Sequence, residues 1–485
     1  MANTLSNWPS PFLKQCFVTA GVAINLSQFG IVAAYVVVIL PQLNLPGADI
    51  VMDEETASWF ASIQGLTLII GTVMIAHLMG KYGRWVTNVC SAGLMFTGWV
   101  LIVVADSVAC LMLGRFLKGI SLGLIIALCP VIIGECASPR YRGSFLASTT
   151  ALLSIGTAFV HFISFLLHWR TVALLCVVIS FINLLISIYS PESPSWLATE
   201  GRYDECRKVF RWLRGPDEEE ELQKMIQANM TEKTVEKESV LQAIKNRINI
   251  IKKKEVYKPV IIGIHLNILC YWCGLPAISS FPNEVIHSIV GIGHNTPAIL
   301  ITLDIQRLIT NTSAMYVVKK VKRKNMLLTT ISLNAALFFV IAGYVYAREQ
   351  SLLPFDHPLI GVILLHIHMF SMAMGGLPLP TIISGEIYPL KYRSFCSSVT
   401  TTISSINLFL AYKTFIQTEQ KLKIFGAYSI YGLIVIYCLS VTYHYLPETK
   451  DKTLLDIENE FRGAPAKSKD VAAEVLIRSD GGSEI

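Results

Sequence analysis

Charged residues are scarce in this sequence. Aspartate, glutamate, lysine and arginine make up 15% of its 485 residues, whereas hydrophobic residues make up 53%. A water-soluble protein of this length would expose too much apolar surface. The apolar residues are gathered in runs of about 20, which is the length that a helix needs to cross a bilayer. The composition therefore predicts a polytopic helical membrane protein.

Six apolar runs precede a long polar segment and six follow it. We expect membrane spans, numbered 1 to 12, at 13–40, 59–79, 86–105, 109–133, 144–167, 170–189, 259–281, 297–318, 326–346, 359–384, 395–417 and 424–446. The polar segment has charged and apolar residues at helical spacing, which is typical of short amphipathic helices, and a solvated linker is the equal alternative. The predicted domains are a first six-helix bundle, a cytosolic linker, a second six-helix bundle and a cytosolic tail, at 1–189, 190–258, 259–446 and 447–485.

The distribution of basic residues predicts the orientation of the spans. The sequence begins without the features of a removable signal peptide, so we expect span 1 to be retained. Basic residues concentrate in the short loops after spans 2, 4, 8 and 10, at Lys81, Arg84, Arg140, Arg142, Lys319, Lys320, Lys322, Arg323, Lys324, Lys391 and Arg393. The positive-inside rule then places these loops, the linker and both termini in the cytosol. We expect a multi-pass protein of the plasma membrane.

Several functional classes lack support in the sequence. The eleven cysteines fall almost wholly in spans or predicted cytosolic loops, which indicates no disulfide framework. Cys270 and Cys273 have thioredoxin-like spacing but lie inside an apolar run, which disfavours a redox role. The net charge of +6 is spread over many loops, unlike a nucleic-acid-binding surface. We expect no enzyme activity, nucleic acid, metal or cofactor. We expect a monomer whose partners are the bilayer and a small solute of the sugar class.

The chain also contains an internal repeat. GECASPRYRGSF at 134–145 returns as GEIYPLKYRSF at 385–395, and PESPSWL at 191–197 returns as PETKDKTL at 447–454. Both pairs follow long apolar runs. An acid and an arginine at matching ends of two halves indicate one machine with two similar sides, as alternating access requires.

Four motifs in order resemble the sugar-porter branch of the major facilitator superfamily. They are GRFLKGISLG (114–123), GECASPRYRG (134–143), PESPSW (191–196) and PETK (447–450). SWFASIQ (58–64) and YKTF (412–415) look like the insect facilitated trehalose transporters. The resemblance covers nearly the whole chain. It implies an all-α membrane protein with twelve helices in two pseudo-symmetric six-helix bundles, the major facilitator fold.

The resemblance implies facilitative transport of a sugar of the trehalose or hexose class by alternating access. Proton-driven members of the family commonly place an aspartate in span 1, but the matching stretch at 28–35 has no acid. Downhill facilitation is therefore the simpler interpretation, with Asp304 as the one membrane acid that could still carry a proton. The alternatives are a divergent carrier of another small polar solute and a sugar sensor that does not transport.

The resemblance also implies a gate at the cytosolic ends of the spans. Its charged residues are Arg84, Glu135, Arg142 and Glu192 in the first half and Arg323, Glu386, Arg393 and Glu448 in the second. We expect arginine–carboxylate bonds to hold this side shut while the cavity faces outward, with Glu135 latched to Arg142 and Glu386 to Arg393. The alternative is that these residues are topological anchors with incidental acids.

The resemblance places the solute site on spans 1, 5, 7, 8, 10 and 11, although the glutamines and the asparagine of the family's span 7 motif are absent here. The candidate cavity residues are Gln28, Thr149, Thr150, Tyr271, Trp272, Asp304, Gln306, Arg307, Ser404 and Asn407. Asp304 and Arg307 are three residues apart, so they share a helix face and can pair. A charge at membrane depth indicates function by default. Whether Arg307 lines the cavity or only stiffens span 8 stays open.

Two spans contain residues that interrupt helices and are therefore candidate hinges. They are Gly274 and Pro276 in span 7 and Gly375, Gly376, Pro378 and Pro380 in span 10. Proline removes a backbone hydrogen bond from a helix. Such breaks are tolerated at membrane depth only where protein or cavity water satisfies the freed backbone groups.

Overall fold

The computed structural model describes residues 10–43, 45–216, 218–232, 252–291, 293–389, 392–450, 452 and 454–462. Within these ranges the regular structure is helical and no strand occurs. Part of the predicted linker (233–251) and most of the predicted tail (463–485) lie outside the described residues.

The first half folds into six spans. Their helices are Pro11–Leu43 for span 1, Glu54–Val103 for spans 2 and 3, Val108–Cys136 for span 4, Pro139–Ser164 for span 5 and Trp169–Tyr189 for span 6. Gly83 breaks the long second helix with φ 90° and ψ 175°. This conformation is open to glycine and rare for other residues, so Gly83 marks the turn between spans 2 and 3.

Three short helices follow span 6. They are Pro194–Glu200, Tyr203–Arg214 and Glu219–Glu232. Leu197, Phe210 and Leu222 pack together between them in a small apolar cluster. On the outer face Arg211 donates two hydrogen bonds to Glu219, which hold the pKa of that carboxyl below its ordinary value. The start of the linker is thus a set of amphipathic helices packed on one another.

The second half repeats the arrangement with more interruptions. Its helices are Lys254–Trp272 and Leu275–Ser280 for span 7, Pro282–Val290, Thr296–Lys320 for span 8, Arg323–Glu349 for span 9, Pro358–Ser371 and Pro378–Ile387 for span 10, Arg393–Tyr445 for spans 11 and 12, and Leu454–Arg462 in the tail. A π-helical turn, Met372–Gly376, joins the two parts of span 10. Lys423, at φ 56°, breaks the helix between spans 11 and 12.

The structure confirms the twelve-helix architecture. All twelve predicted spans are helical, and ten helical segments of the described chain are long and apolar enough to cross a membrane. Spans 8 and 11 fall outside that group. Apolar side chains such as Leu174, Val178 and Phe181 stay exposed on span 6, as expected of a surface that faces lipid. The chain is a multi-pass membrane protein.

Successive spans run in opposite directions, so the loops after spans 2, 4, 8 and 10 lie together at one end of the molecule. We call this the basic end because these loops carry most of the lysine and arginine residues of the short loops. The other end is called the opposite end. The N-terminal ends of spans 2 and 8 lie there, and so do the C-terminal ends of spans 5 and 11.

Candidate functional site

A buried cluster of polar residues joins the two halves of the molecule. His161 comes from span 5 in the first half, whereas Asp304 and Arg307 come from span 8 in the second. His161 Nδ1 lies 2.6 Å from Asp304 Oδ2, and Arg307 Nη2 lies 2.9 Å from Asp304 Oδ1. These three side chains are nearly inaccessible to solvent. Asp304 and Arg307 pair within span 8 as their spacing predicts, but the same carboxylate also reaches across to span 5.

Further hydrogen bonds extend this cluster. Arg307 donates to Ser279 Oγ at 3.3 Å and to the Ser154 carbonyl at 3.4 Å. Asn311, one turn further along span 8, donates to Ser154 Oγ at 2.9 Å. We call these residues together with His161 and Asp304 the span 5–8 bridge. Because it uses side chains from spans 5, 7 and 8, it fixes the position of one half against the other.

Spans 2 and 11 form a second contact between the halves, and it is mostly apolar. A Cβ built on Gly65 would lie 2.6 Å from the backbone nitrogen of Phe409, so the two helices touch there. The rings of Trp59 and Phe409 lie 6.1 Å apart, and Lys413 Nζ lies 4.1 Å from the centre of the Trp59 ring. We call this contact the span 2–11 seam.

Both contacts lie between the middle of the spans and the opposite end. Ser280 Oγ donates to the Ala33 carbonyl at 3.0 Å, and Gln420 donates to Glu54 at 3.2 Å at the outermost turn. At the basic end, a Cβ built on Gly143 or Gly385 would meet nothing within 4 Å. In this conformation the halves are therefore joined at the opposite end.

A cavity lies beside the span 5–8 bridge and is lined by both halves. Its wall consists of Phe29, Gly30, Ala33, Leu153, Ser154, Thr157, Tyr271, Leu275, Pro276, Ser279, Arg307, Leu377, Leu408 and Tyr412. Aromatic rings and aliphatic groups form most of the surface, and Arg307 with a few hydroxyl groups supplies the polar atoms. Apolar walls with a few convergent polar groups are typical of small-molecule sites.

The structure places two of the candidate cavity residues in this wall, Tyr271 and Arg307. Three others lie near it on the second half. Trp272 donates to Asn407 at 3.3 Å, and Ser404 donates to Asn267 at 3.1 Å. These pairs tie span 7 to span 11. Thr149 is buried and donates to the Leu146 carbonyl within span 5, whereas Thr150 is exposed.

Gln28 lies away from the cavity wall. Its amide nitrogen donates to Ser180 Oγ at 3.1 Å, and its oxygen accepts from Trp99 at 3.2 Å, so it lies inside the first bundle between spans 1, 3 and 6. Gln306 also lies away from the cavity wall, because its amide donates to the His366 carbonyl on span 10 at 2.9 Å. Each amide thus bonds to partners within its own half.

The candidate hinge in span 7 is a true helix break. Gly274 has φ +105°, and a new helix begins at Leu275 with Pro276 in its first turn. The break frees the Cys273 carbonyl, which accepts a hydrogen bond from Asn334 of span 9 at 3.1 Å. A buried neighbour thus satisfies the backbone, as membrane depth requires.

The break in span 10 depends on the same asparagine. Asn334 also donates to Ser371 Oγ at 3.1 Å, just before the π-helical turn that contains Gly375 and Gly376. A Cβ on Gly375 would lie 1.8 Å from Thr330 Oγ1, so only glycine lets span 9 approach so closely. Pro378 then begins the next helix, with Pro380 buried inside it. Asn334 thereby couples the two interrupted spans.

The charged motifs at the basic end form one network in each half. In the first half Arg84 makes a two-pronged bond to Glu135, at 2.9 and 2.8 Å. Ser193 also donates to Glu135. Glu192 accepts from the backbone nitrogens of Arg84 and Trp85, at 2.9 and 3.1 Å. Burial nevertheless raises the pKa of Glu192 above its ordinary value.

The second half repeats this network with fewer bonds. Arg323 Nε donates to Glu386 at 3.0 Å. Glu448 accepts from the backbone nitrogens of Arg323 and Lys324, at 3.0 and 3.2 Å. The matching positions in the two halves confirm the internal repeat, and both networks hold the turn between two spans against the helix that ends beside it.

The predicted latch pairs are not in contact in this conformation. Arg142 donates to the Ala137 carbonyl at 3.3 Å, and Arg393 donates to the Gly385 carbonyl at 3.1 Å, so each closes its own loop. The partner of Glu135 is Arg84, and the partner of Glu386 is Arg323. Arg84 and Arg323 lie in the turns after spans 2 and 8, beside the carboxylates at the ends of spans 4 and 10. The loop arginines that follow spans 4 and 10 bond to backbone carbonyls at those span ends instead.

Sequence reasoning missed two residues. His161 stands among apolar residues in span 5, and Asn334 does so in span 9. A buried polar group in an apolar run needs a partner, which is the signal that could have found both. Neither residue belongs to the sequence motifs that resemble the sugar porters. In the described part of the chain no group of three or more histidine, cysteine, aspartate or glutamate residues could hold a metal.

Comparisons with known proteins agree with this architecture. The chain is 26% identical to the facilitated trehalose transporter Tret1 of Apis mellifera ligustica over 86% of this chain and 82% of that protein. It is 25% identical to the Tret1 protein of Drosophila yakuba over 94% of this chain, but it spans only 53% of that longer protein.

Solved structures show the same fold. The inward-open xylose transporter XylE from E. coli superposes with a TM-score of 0.71 over 93% of this chain and 100% of that chain, at 18% identity. The model of the family "Sugar (and other) transporter" matches residues 15–461. This match extends from the first span to the tail helix, and the chain therefore belongs to the sugar transporter family of the major facilitator fold.

Proposed function

We propose that this protein moves a sugar of the trehalose or hexose class down its gradient by alternating access. The observation that carries the proposal is the cavity lined by both halves, placed beside the contacts that join them. A site at the interface between two similar halves becomes accessible from either side when the halves rock. Membership in a transporter family supports a carrier rather than an enzyme.

The cavity wall suits a sugar in its mixture of groups. The rings of Phe29, Tyr271 and Tyr412 offer flat apolar faces, and Ser154 and Thr157 offer hydroxyls. A sugar has C–H faces that pack on aromatic rings, and its hydroxyls both donate and accept hydrogen bonds. The trehalose transporters among the relatives support a disaccharide as the first substrate to test.

The same proposal gives the orientation. We place the basic end and both termini in the cytosol of a plasma membrane protein that works as a monomer, following the positive-inside rule. The halves touch at the opposite end, so this conformation would face the cytosol. The Arg84–Glu135 and Arg323–Glu386 pairs each lie within one half. A bond between the halves at the cytosolic gate would be broken in this state.

A carrier of another small polar solute is the second candidate. Arg307 supplies a guanidinium group to the wall, and span 7 has Cys270, Tyr271 and Cys273 where glutamines and their neighbours are expected from the family resemblance. An arginine binds carboxylate or phosphate more strongly than it binds a neutral hydroxyl. An acidic group on the solute would compete with Asp304 for this guanidinium.

Flux of radiolabelled trehalose and glucose into proteoliposomes tests the proposal. We expect saturable uptake that falls at least tenfold in Tyr412→Ala, which removes a ring from the cavity wall. Tyr437→Ala is the matched control, because Tyr437 is an exposed residue of span 12, and it should leave uptake unchanged. Binding of either sugar without flux would indicate a sensor. Neither binding nor flux would favour the second candidate.

A further inference from the structure

We propose that Asn334 is a positioning residue for the solute. It holds the two interrupted spans of the second half so that their cavity-lining residues keep their places. Asn334 lies on span 9 and is not part of the cavity wall. The inference rests on the proposed transport, because it concerns the affinity of the same cavity. It assigns the shape of the wall to a side chain that lies behind it.

The hydrogen bonds of Asn334 have a single assignment. Its side chain is fully buried. The Cys273 carbonyl can only accept, so the amide nitrogen of Asn334 must face it, at 3.1 Å. Ser371 donates its own hydrogen to the His368 carbonyl at 2.7 Å, so its oxygen accepts from Asn334, also at 3.1 Å. Both hydrogens of one amide group are thus used, one at the break in span 7 and one at the break in span 10.

Asn334 belongs to one face of span 9 that contacts both breaks. Thr330, Asn334 and Phe338 recur every four residues, and side chains at this spacing lie one above the other on a helix. Thr330 touches Gly375 in the π-helical turn of span 10. A Cβ built on Gly274, at the break in span 7, would lie 3.3 Å from Phe338 Cζ. Span 9 itself is one helix of 27 residues, so it supplies a fixed support for two spans that are interrupted.

Residues beside the two breaks form part of the cavity wall. On span 7, four wall residues flank the break, namely Tyr271, Leu275, Pro276 and Ser279. On span 10 the wall contains Leu377, the residue directly after the π-helical turn. A change of direction at either break would displace these groups relative to the solute. The support from span 9 therefore determines how the second half presents its side of the cavity.

The first half contains a buried asparagine that lacks this connection. Asn88 of span 3 donates to Ser187 Oγ of span 6 at 3.1 Å, and both side chains are buried. Spans 3 and 6 contribute no residue to the described cavity wall. Asn88→Leu is therefore a matched control for Asn334→Leu, because each variant replaces a buried amide that donates to a serine hydroxyl.

Loss of the amide should weaken solute binding more than it slows transport. In Asn334→Leu both breaks can sample other directions, so only a fraction of the carriers presents the complete wall. The apparent affinity falls by that fraction. We expect the KM for trehalose in proteoliposomes to rise at least about fivefold. The maximal rate per carrier should stay within about twofold, because a loss of binding alone raises KM without changing kcat.

Ser371→Ala removes one of the two hydrogen bonds and leaves the bond to Cys273 in place. We expect a smaller rise in KM from this variant. It also keeps the inference testable if Asn334→Leu does not fold. Asn88→Leu should lower the melting temperature and leave the KM for trehalose unchanged.

Spin labels on the full chain in lipid nanodiscs report on the breaks without any solute. Ile261→Cys and Glu284→Cys flank the break in span 7, and Ile363→Cys and Thr381→Cys flank the break in span 10. All four positions are exposed. The cysteines that are not buried are first replaced by serine, namely Cys16, Cys90 and Cys110.

Asn334→Leu should broaden the distance distributions of both label pairs, and Ser371→Ala should broaden only the pair on span 10. Asn88→Leu should broaden neither. Unchanged distributions in Asn334→Leu would overturn the inference, and so would an equal rise in KM in Asn88→Leu. If the wild-type protein moves no sugar, the distributions still show whether Asn334 holds the breaks, so the two proposals fail separately.

Discussion

The two contacts between the halves are built from different chemistry. At the span 5–8 bridge, His161, Asp304 and Arg307 form buried bonds that need their partners to be present. At the span 2–11 seam, Gly65 packs against the backbone of Phe409 and depends on close fit. In a duplicated fold the two contacts occupy related positions, so the comparison shows that duplication preserves helix placement and leaves the contact chemistry free to diverge.

Removing the shared carboxylate should have the strongest effect on the bridge. In Asp304→Ala, Arg307 stays buried without an anion, and breaking a buried pair in this way costs about 3–5 kcal/mol. We expect a lower melting temperature and less folded protein, measured by thermal unfolding in detergent. Asp356→Ala, at an exposed bond to Tyr344, is the control and should change little. Equal melting temperatures for the two variants would contradict the role of the bridge.

The span 2–11 seam should be weakened by added side-chain volume, whereas the span 5–8 bridge is weakened by loss of a charge. In Gly65→Ala the new Cβ would lie 2.6 Å from a backbone nitrogen, which cannot move without shifting a helix. Overpacking of this kind costs about 1–3 kcal/mol. The clash exists only when the opposite end is closed. The distance between spin labels at Val104→Cys and Phe355→Cys, which are exposed at that end, should therefore shift toward the open form. Gly143→Ala, with nothing within 4 Å, should leave the distances unchanged.

The repeated networks at the basic end allow the same comparison between halves. Glu135 accepts two bonds from Arg84 and one from Ser193, whereas Glu386 accepts one bond from Arg323. A hydrogen bond to a charged group contributes about 1.5–3 kcal/mol. Glu135→Gln should therefore lower the melting temperature more than Glu386→Gln does. The reverse order would show that the geometry of the networks does not govern their strength.

The smallest effect is expected at the loop arginines. Arg142 donates one hydrogen bond to the carbonyl of Ala137 in its own loop, so Arg142→Ala should lower the free energy of unfolding least among these variants. Arg84→Ala removes the two-pronged bond to Glu135 and should cost clearly more. Thermal unfolding of both variants decides whether the carboxylate depends on Arg84, as the structure shows, or on Arg142.

The sequence predicted what is repeated or periodic. The twelve spans follow from apolar runs, and the acids Glu135 and Glu386 follow from the duplicated motif. The break at Gly274 follows from its neighbouring proline. The Asp304–Arg307 pair follows from helical spacing alone.

Side-chain contacts that depend on how the helices pack could not be predicted from the sequence. Glu135 bonds to Arg84 and not to Arg142 because the turn after span 2 packs beside the end of span 4 in the folded protein. Gln28 was assigned to the cavity because it is polar, but it forms hydrogen bonds with Ser180 and Trp99 inside the first bundle. The role of His161 depends on its contact with Asp304, which lies in the other half, 143 positions away.

The bond between His161 and Asp304 is the central polar contact between the two halves, and a double-mutant cycle measures its strength. His161→Gln, Asp304→Asn and the double variant would be compared by the free energy between the open and closed forms of the opposite end. This free energy comes from the distances between spin labels at Val104→Cys and Phe355→Cys, which are exposed at that end. Residues in direct contact show coupling energies of about 0.5–3 kcal/mol. We predict at least about 1 kcal/mol favouring the closed form. Effects that add within about 0.3 kcal/mol would show that the bond does not hold the two halves together.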